Sequence, residues 1–554
     1  MMPWNARKFI RVIKLLLAGV MVFSVSWIAS VNQWHPRVNW GGRRGAPDYG
    51  LSTMRTIVAY SEGKQAELDR PSPVTCDQIP AIPEIPHINR SWSSESTTGS
   101  SWQLVTGTSV SLYAAYYDER TPQRYVRILA SFRGRNFSVE EPLYCQTRLI
   151  NSFDSTVEVV AAKPLEIWWH EWDSNSVDVE TPLLLSCPLT ESLYGPSIVS
   201  IVTEPCNNPI NAFFLKPNKK DSRNKRKFTV CVKDINFKQD VSENLIEWIE
   251  TNKLLGVDII DMYIDRINKE SLKVLSYYRH KGYVRLYQVP IKNKPGRSLW
   301  QRRRDHIITY NDCLYRNIME SEFIIPLDVD EVILPKVADS LNVLIDRLSK
   351  RGWDPIQNSA ILVQNVFFFG FMQGIDKYKE KKEYNKNKIY IKRDDVRIRN
   401  KENLNISEIE LIDEKKNLTD IVEDVIDSSE NINKEYKSWC GKEIPVPKLV
   451  RHIVRSAIVS PMGYYSKSLM LTRKVLTAFN HYPLASLGNS DFAGWSAPFS
   501  EVQLNHYKES CNTTVVAECA RYGRRARVDR AALRLRRRLT AALADAICTP
   551  INVI

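Results

Sequence analysis

Between Trp92 and Pro205 the apolar residues fall in short alternating runs: SWQLVTG, SLYAAYY, RYVRILASF, STVEVVAA and SIVSIVTE, separated by turn residues. A period of two marks strands with one buried face, so a small β-rich domain is expected over residues 91–215. After the basic polar linker KPNKKDSRNKRK the period changes. FTVCVK reads as a strand and SENLIEWIETNKLLG as an amphipathic helix stopping at Gly256. VDIIDMYI is a second strand, NKESLKVLSYYRHKG a helix ending at Gly282, and YVRLYQVPI a third strand. A long helix follows over residues 299–318, and EFIIPL is the fourth strand. Strands alternating with helices at this spacing predict an α/β domain with a mostly parallel, doubly wound sheet. Such sheets bind ligands outside the carboxyl ends of their strands.

The fourth strand delivers Asp328, Asp330 and Glu331 to that edge, then turns apolar again as VILP. Two carboxylates two residues apart can grip a hard divalent cation from one side, leaving positions for diphosphate oxygens. The cation would then neutralise a departing nucleoside diphosphate. DVDEV also resembles the motif of haloacid dehalogenase-like phosphatases, with Asp328 as nucleophile. Those proteins carry Gly where Glu331 stands, and they place the motif at the start of the domain, not after three strands. An EF-hand loop fails for want of its glycine and final glutamate. A solvated acidic turn, or a glycan-binding protein without catalysis, is the plain alternative.

Residues 377–438 are dense in Lys, Glu, Asp and Asn and read as an inserted surface excursion. At the N-terminus, Arg7, Lys8, Arg11 and Lys14 precede the uncharged run Leu15 to Val31. A cytoplasmic tail (1–14), a transmembrane signal-anchor (15–31) and a stem (32–90) are therefore expected, with everything downstream lumenal. A cleaved signal peptide is the rival, given the small Ala29 and Ser30. Ten cysteines permit full pairing, and sequons stand at Asn89, Asn136, Asn405, Asn417 and Asn512, which suits a lumenal glycoprotein. The net charge of +14 owes much to Arg521 to Arg538, where nine arginines meet one acid, Asp529. Residues 521–554 accordingly read as a basic C-terminal tail. No stacking aromatics interleave the arginines, so no nucleic-acid partner is expected. Trp92, Trp102, Trp168, Trp169 and Trp172 of the β-rich region have core packing as their first reading and sugar stacking as their second.

From Phe228 onward the chain resembles glycosyltransferase family 92, once described only as a domain of unknown function. The likeness lies in an ordered series of blocks: ENLIEWIETNKLLGVD, VLSYYRHKGYVRLYQVP, NDCLYRN followed by FIIPLDVDEVILP, HIVRSAIVSPMGYYSKSLML, FNHYPLASLG and NHYK. Upstream, SLYAAYYDERTPQRYVRILASF is similar to the family's N-terminal β region. The resemblance covers residues 100–520 apart from the insertion. It implies a GT-A-like nucleotide-sugar-binding domain over residues 226–520, a divalent metal, commonly Mn2+, and an inverting mechanism in the Golgi lumen. It further implies a UDP-sugar donor, with UDP-galactose used by characterised members, and a glycan acceptor on glycoproteins, including core fucose of N-glycans. Carried onto this chain, Asp328 and Asp330 hold metal and diphosphate, Asp330 as the direct ligand and Asp328 as the partner of ribose or a bound water. Glu331 orients the pair or serves as a structural hydrogen-bond acceptor. A C-terminal histidine completes many such metal sites; the candidates are His506, with His481 as alternative. Lys508 stands where family members often have Arg, so a two-pronged phosphate contact becomes a point charge. The catalytic base is unassigned, with Asp376, Glu380, Glu383 and Asp491 as candidates.

Overall fold

The computed structural model describes residues 73–92, 102–137, 142–150, 157–190, 195–215, 225–292, 297–373, 441–488, 494–509 and 519–548, apart from a few positions inside those ranges, together with Glu410, Leu411, Val425 and Ser429. The expected anchor and most of the stem lie outside the described residues, as do four of the five sequon asparagines, Asn136 being the one inside. Among the described residues no helix is long and apolar enough to cross a membrane.

The β-rich region is a two-sheet sandwich. Ser111–Asp118, Tyr125–Arg133, Glu180–Pro188 and Lys163–Glu166 lie in one sheet, and Tyr144–Leu149 centres the other. Alternate residues such as Leu112, Val126, Ile128, Leu183, Val199 and Ile201 fill the space between them. The Cys145–Cys187 disulfide joins a strand of each sheet through this core.

The second region is built on β1 (Arg226–Asn236), β2 (Ile259–Arg266), β3 (Val284–Gln288) and β4 (Ser321–Pro326). Helices α1 (Ser242–Leu254), α2 (Lys269–His280) and α3 (Leu299–Asn317) connect them. α1 and α2 stop where Gly256 and Gly282 adopt positive φ, a conformation other residues resist. The main sheet runs β3-β2-β1-β4 in parallel and continues through β6 (Ala360–Val363) and β8 (Lys467–Leu471). β8 lies antiparallel to both β4 and β6, so the sheet is mixed, parallel in its first half and interrupted by one reversed strand. The strand order turns back at β1 and β4, which makes the gap at their carboxyl ends the switch point.

A second, three-stranded sheet sits at that gap: β5 (Glu331–Pro335), β9 (Val502–Lys508) and β7 (Asn365–Phe369), in the order β5-β9-β7. The arginine-rich stretch expected as a tail is largely folded. Arg525–Val528 pairs with Val454–Ser456, and helix α4 (Arg536–Cys548) buries Leu539, Leu543 and Ala544 in the core that α1 shares. The reason is periodicity: Leu535, Leu539 and Leu543 recur every four residues, so the arginines occupy only the outer face of a packed helix.

The NDCLYRN block is a structural node. Asn311 exchanges two hydrogen bonds with the backbone of Ala478, and Tyr315 donates to the carbonyl of Leu476. Cys313 is disulfide-bonded to Cys231 of β1, and Asn317 donates to Asp261 of β2. Asp312 is buried and accepts from Tyr263, Arg316, Arg90 and, across the boundary with the sandwich, Tyr116. Removing the carboxylate would orphan several buried donors at once, which explains why an acid belongs in a helix interior here.

Candidate active site

The acids of DVDE form the turn between β4 and β5. Its backbone is closed by Glu331 N–H donating to the Asp328 carbonyl at 3.0 Å. The Glu331 carboxylate accepts from the Asp328 N–H at 3.0 Å, so it caps the turn from within. The Trp248 indole of α1 donates to the Glu331 carbonyl, and Tyr507 N–H donates to the Asp330 carbonyl. Glu331 is thus a buried structural acceptor that also orients the pair, and the two aspartates remain partly open.

Pairing of β5 with β9 sets Glu331 directly opposite His506. The His506 Nε2 lies 3.4 Å from Asp330 Oδ2, and its Nδ1 lies 3.6 Å from Glu331 Oε1. Neither ring nitrogen has a hydrogen-bond partner, although the side chain is nearly buried. His481 differs: its Nδ1 bonds the Ser466 carbonyl at 2.7 Å and its Nε2 the Asn480 side chain at 3.2 Å. Burial pushes its pKa down to about 3. Of the two candidates, only His506 is brought beside the aspartates with its nitrogens unused.

Three lysines converge on these acids. Lys233, at the end of β1, and Lys467, at the start of β8, reach Asp328 Oδ2 at 3.1 and 3.4 Å. Lys467 also meets Glu331 at 3.1 Å, and Lys508 meets Asp330 at 2.9 Å. Burial works to raise the Asp328 carboxyl, but Lys233 and Lys467 outweigh it and hold it well below the usual range. Burial likewise opposes the lowering of Asp330, which His506 and Lys508 produce. Asn480 ties the lysines together: its Oδ1 accepts from Lys233 at 3.1 Å and Lys467 at 3.2 Å. Behind them Asp234, also at the end of β1, accepts from His306 at 3.0 Å and from Arg302 at 2.8 Å. Burial opposes, yet these partners bring Asp234 down to about 2, whereas burial lowers His306 to about 4.

A cavity of about 470 Å³ opens at this place, lined by Lys233, Asp234, Arg302, His306, Asp328 and Asp330 among others. Its apolar wall comes from Val232, Phe237, Leu245 and Trp248. A pocket with one apolar wall, a rim of cations and paired carboxylates suits a ligand joining a flat ring to phosphates. Among the described residues no three His, Cys, Asp or Glu side chains converge to hold a metal unaided. The pair Asp330 and His506 fits a divalent cation as two of its ligands, since a buried imidazole nitrogen without a hydrogen bond faces a carboxylate there. Asp328 shares the site but is engaged by two ammonium groups. The base candidates Asp376, Glu380, Glu383 and Asp491 lie outside the described residues.

The residues sequence reasoning missed are Lys233, Lys467, Arg302, His306, Asp234 and Asn480. Asn480 and Lys467 stood in recognised blocks, and Lys233 and Asp234 at a strand end on the ligand edge. Those two placements were the available signals.

Fold and site together define an α/β domain with a ligand pocket at its switch point. Residues 226–534 match glycosyltransferase family 92, and the chain belongs to that family. No curated protein matches it. Among solved structures it is similar to S. aureus TarS 1-349, at 14% identity over 26% of this chain and 35% of that one, with a TM-score of 0.16. A Paenibacillus sp. cycloisomaltooligosaccharide glucanotransferase matches at 10% identity over 27% and 20% of the two chains, with a TM-score of 0.12. Ferredoxin-NADP+ reductase from Plasmodium falciparum matches at 11% identity over 40% and 87%, with a TM-score of 0.11. This chain therefore spans about a third of the first and a fifth of the second, and at such scores none of the three carries weight.

Proposed function

We propose that this chain is an inverting, metal-dependent hexosyltransferase that moves galactose from UDP-galactose to a glycan on a glycoprotein, with fucose of N-glycans as the acceptor. It works in the Golgi lumen as a single-pass type II membrane protein anchored through residues 15–31. The observation that carries the reading is the placing of His506 against Asp330 by the β5–β9 pairing, beside the switch-point cavity that Asp328 and Asp330 line. The strand order β3-β2-β1-β4 with a reversed β8 supports a GT-A-like domain. Asp330 and His506 would hold Mn2+, which when bound neutralises charge on the departing diphosphate. Lys233, Lys467, Lys508 and Arg302 add positive charge at the same place, and Asp328 is kept ionised by its lysines. Of the cavity acids, Glu247 is committed to two backbone N–H groups, and Asp234 engages His306 and Arg302 through Oδ2.

The test is a panel of UDP-sugars with the full chain in detergent, Mn2+ and a core-fucosylated N-glycan. Galactose transfer should dominate, vanish with a chelator and return with Mn2+. Transfer of another sugar would correct the donor, and transfer indifferent to chelation would remove the metal.

A further inference from the structure

The cavity is lined by residues of the second region alone, yet the sandwich also reaches the site. Its turn over residues 168–173 carries three tryptophans, and they are not equivalent. Trp168 is core, 6% exposed and covered by the Arg304 guanidinium 4.3 Å from its ring. Trp169 and Trp172 are only partly buried, with ring centroids 6.0 Å apart. Trp172 packs on Phe479 at 4.8 Å and edge-on against His481 at 5.7 Å. His481 follows Asn480, whose side chain holds Lys233 and Lys467, the lysines that hold Asp328. The indole is thus linked to the DxD acid by a short, continuous chain of contacts.

This turn is also rigid. Arg135 donates to the carbonyls of His170, Asp173 and Ser176, and the Asp173 carboxylate is paired with Arg304 of α3. A partly exposed aromatic face held in this way matches the apolar C–H face that a sugar ring offers.

We propose that the turn of Trp169 and Trp172 is the acceptor wall of the active site, with a sugar of the acceptor glycan stacked on Trp172 beside His481. The inference takes its ligand class from the glycosyl-transfer reading above. It makes the sandwich a contributor of specificity and not merely a support.

The test measures binding of a core-fucosylated N-glycan to the full chain by saturation-transfer NMR, apart from any turnover. Trp172→Ala should weaken glycan binding at least about tenfold, while Trp172→Phe keeps much of it. Affinity for UDP with Mn2+ and the melting temperature should stay near wild type in both, which separates a lost platform from a lost fold. Equal glycan binding by wild type and Trp172→Ala overturns the proposal, as does absence of glycan binding by the wild-type chain. Glycan binding lost in Trp172→Ala without sugar transfer by the wild type would leave the platform standing and refute the transferase chemistry instead.

Discussion

Lys467 is 1% exposed at its side chain and stands between two carboxylates, Asp328 and the almost fully buried Glu331. Burial alone would lower its pKa, but the two acids raise it well above the usual lysine range. Replacing it with Met strands Glu331 as a buried, unpaired charge, a change that costs about 3–5 kcal/mol. Lys467→Met should lose that much in urea unfolding, and the Lys467→Met/Glu331→Gln double variant should recover most of it. His306 gives a pH test. Its folded pKa, lowered to about 4 by burial, lies below the ordinary histidine value of about 6.5, so the unfolded chain takes up the proton first as pH falls. Stability is complete above the unfolded pKa, declines between it and about 4, and levels off below, by roughly 3 kcal/mol in all. His306→Gln should flatten that part of the stability profile; an unchanged slope would show that the ring is not held neutral. At this scale the sequence exposed Asp328, Asp330 and His506, because paired acids at a strand end and a late NHYK block are local patterns. Lys467 stood in the HIVRSAIVSPMGYYSKSLML block, but its role was not legible: it lies 139 residues from Asp328, and a lysine opening a strand looks like any surface cation until the fold is closed.

Among the elements, β1 to β4 and α1 to α3 were legible almost to their ends, since the period, the caps and the glycines agree. What local pattern could not supply was the second sheet. β5, β7 and β9 are drawn from segments far apart in sequence, and their pairing is what puts His506 opposite Glu331. The C-terminal helix was misread for a physical reason: its arginines dominate composition, whereas its leucines, spaced by four, decide its burial. Leu543 is 2% exposed, so Leu543→Ala should cost about 2–5 kcal/mol in stability. A change below about 0.5 kcal/mol, the level of a surface substitution, would return the segment to the status of a tail.

At the largest scale, polar contacts join the sandwich to the second region. Asp312 takes Tyr116, Asp173 takes Arg304, and Arg120 donates to the carbonyls of Thr472 and Val475. Such charged contacts, desolvated on both sides, fix orientation well. A sandwich held this firmly against α3 can present residues to the site, which a tethered module could not. The sequence marked both regions but gave no sign that they share a buried interface. The claim on which the rest depends is that the β4–β5 turn and His506 hold a nucleoside diphosphate through a divalent cation. Calorimetry of UDP binding to the full chain, with and without Mn2+, tests it directly. Wild type should bind UDP only with Mn2+, and both Asp330→Ala and His506→Ala should lose about two orders of magnitude in affinity at an unchanged melting temperature, the scale of losing a metal ligand. Metal-dependent binding that survives Asp330→Ala intact would contradict it.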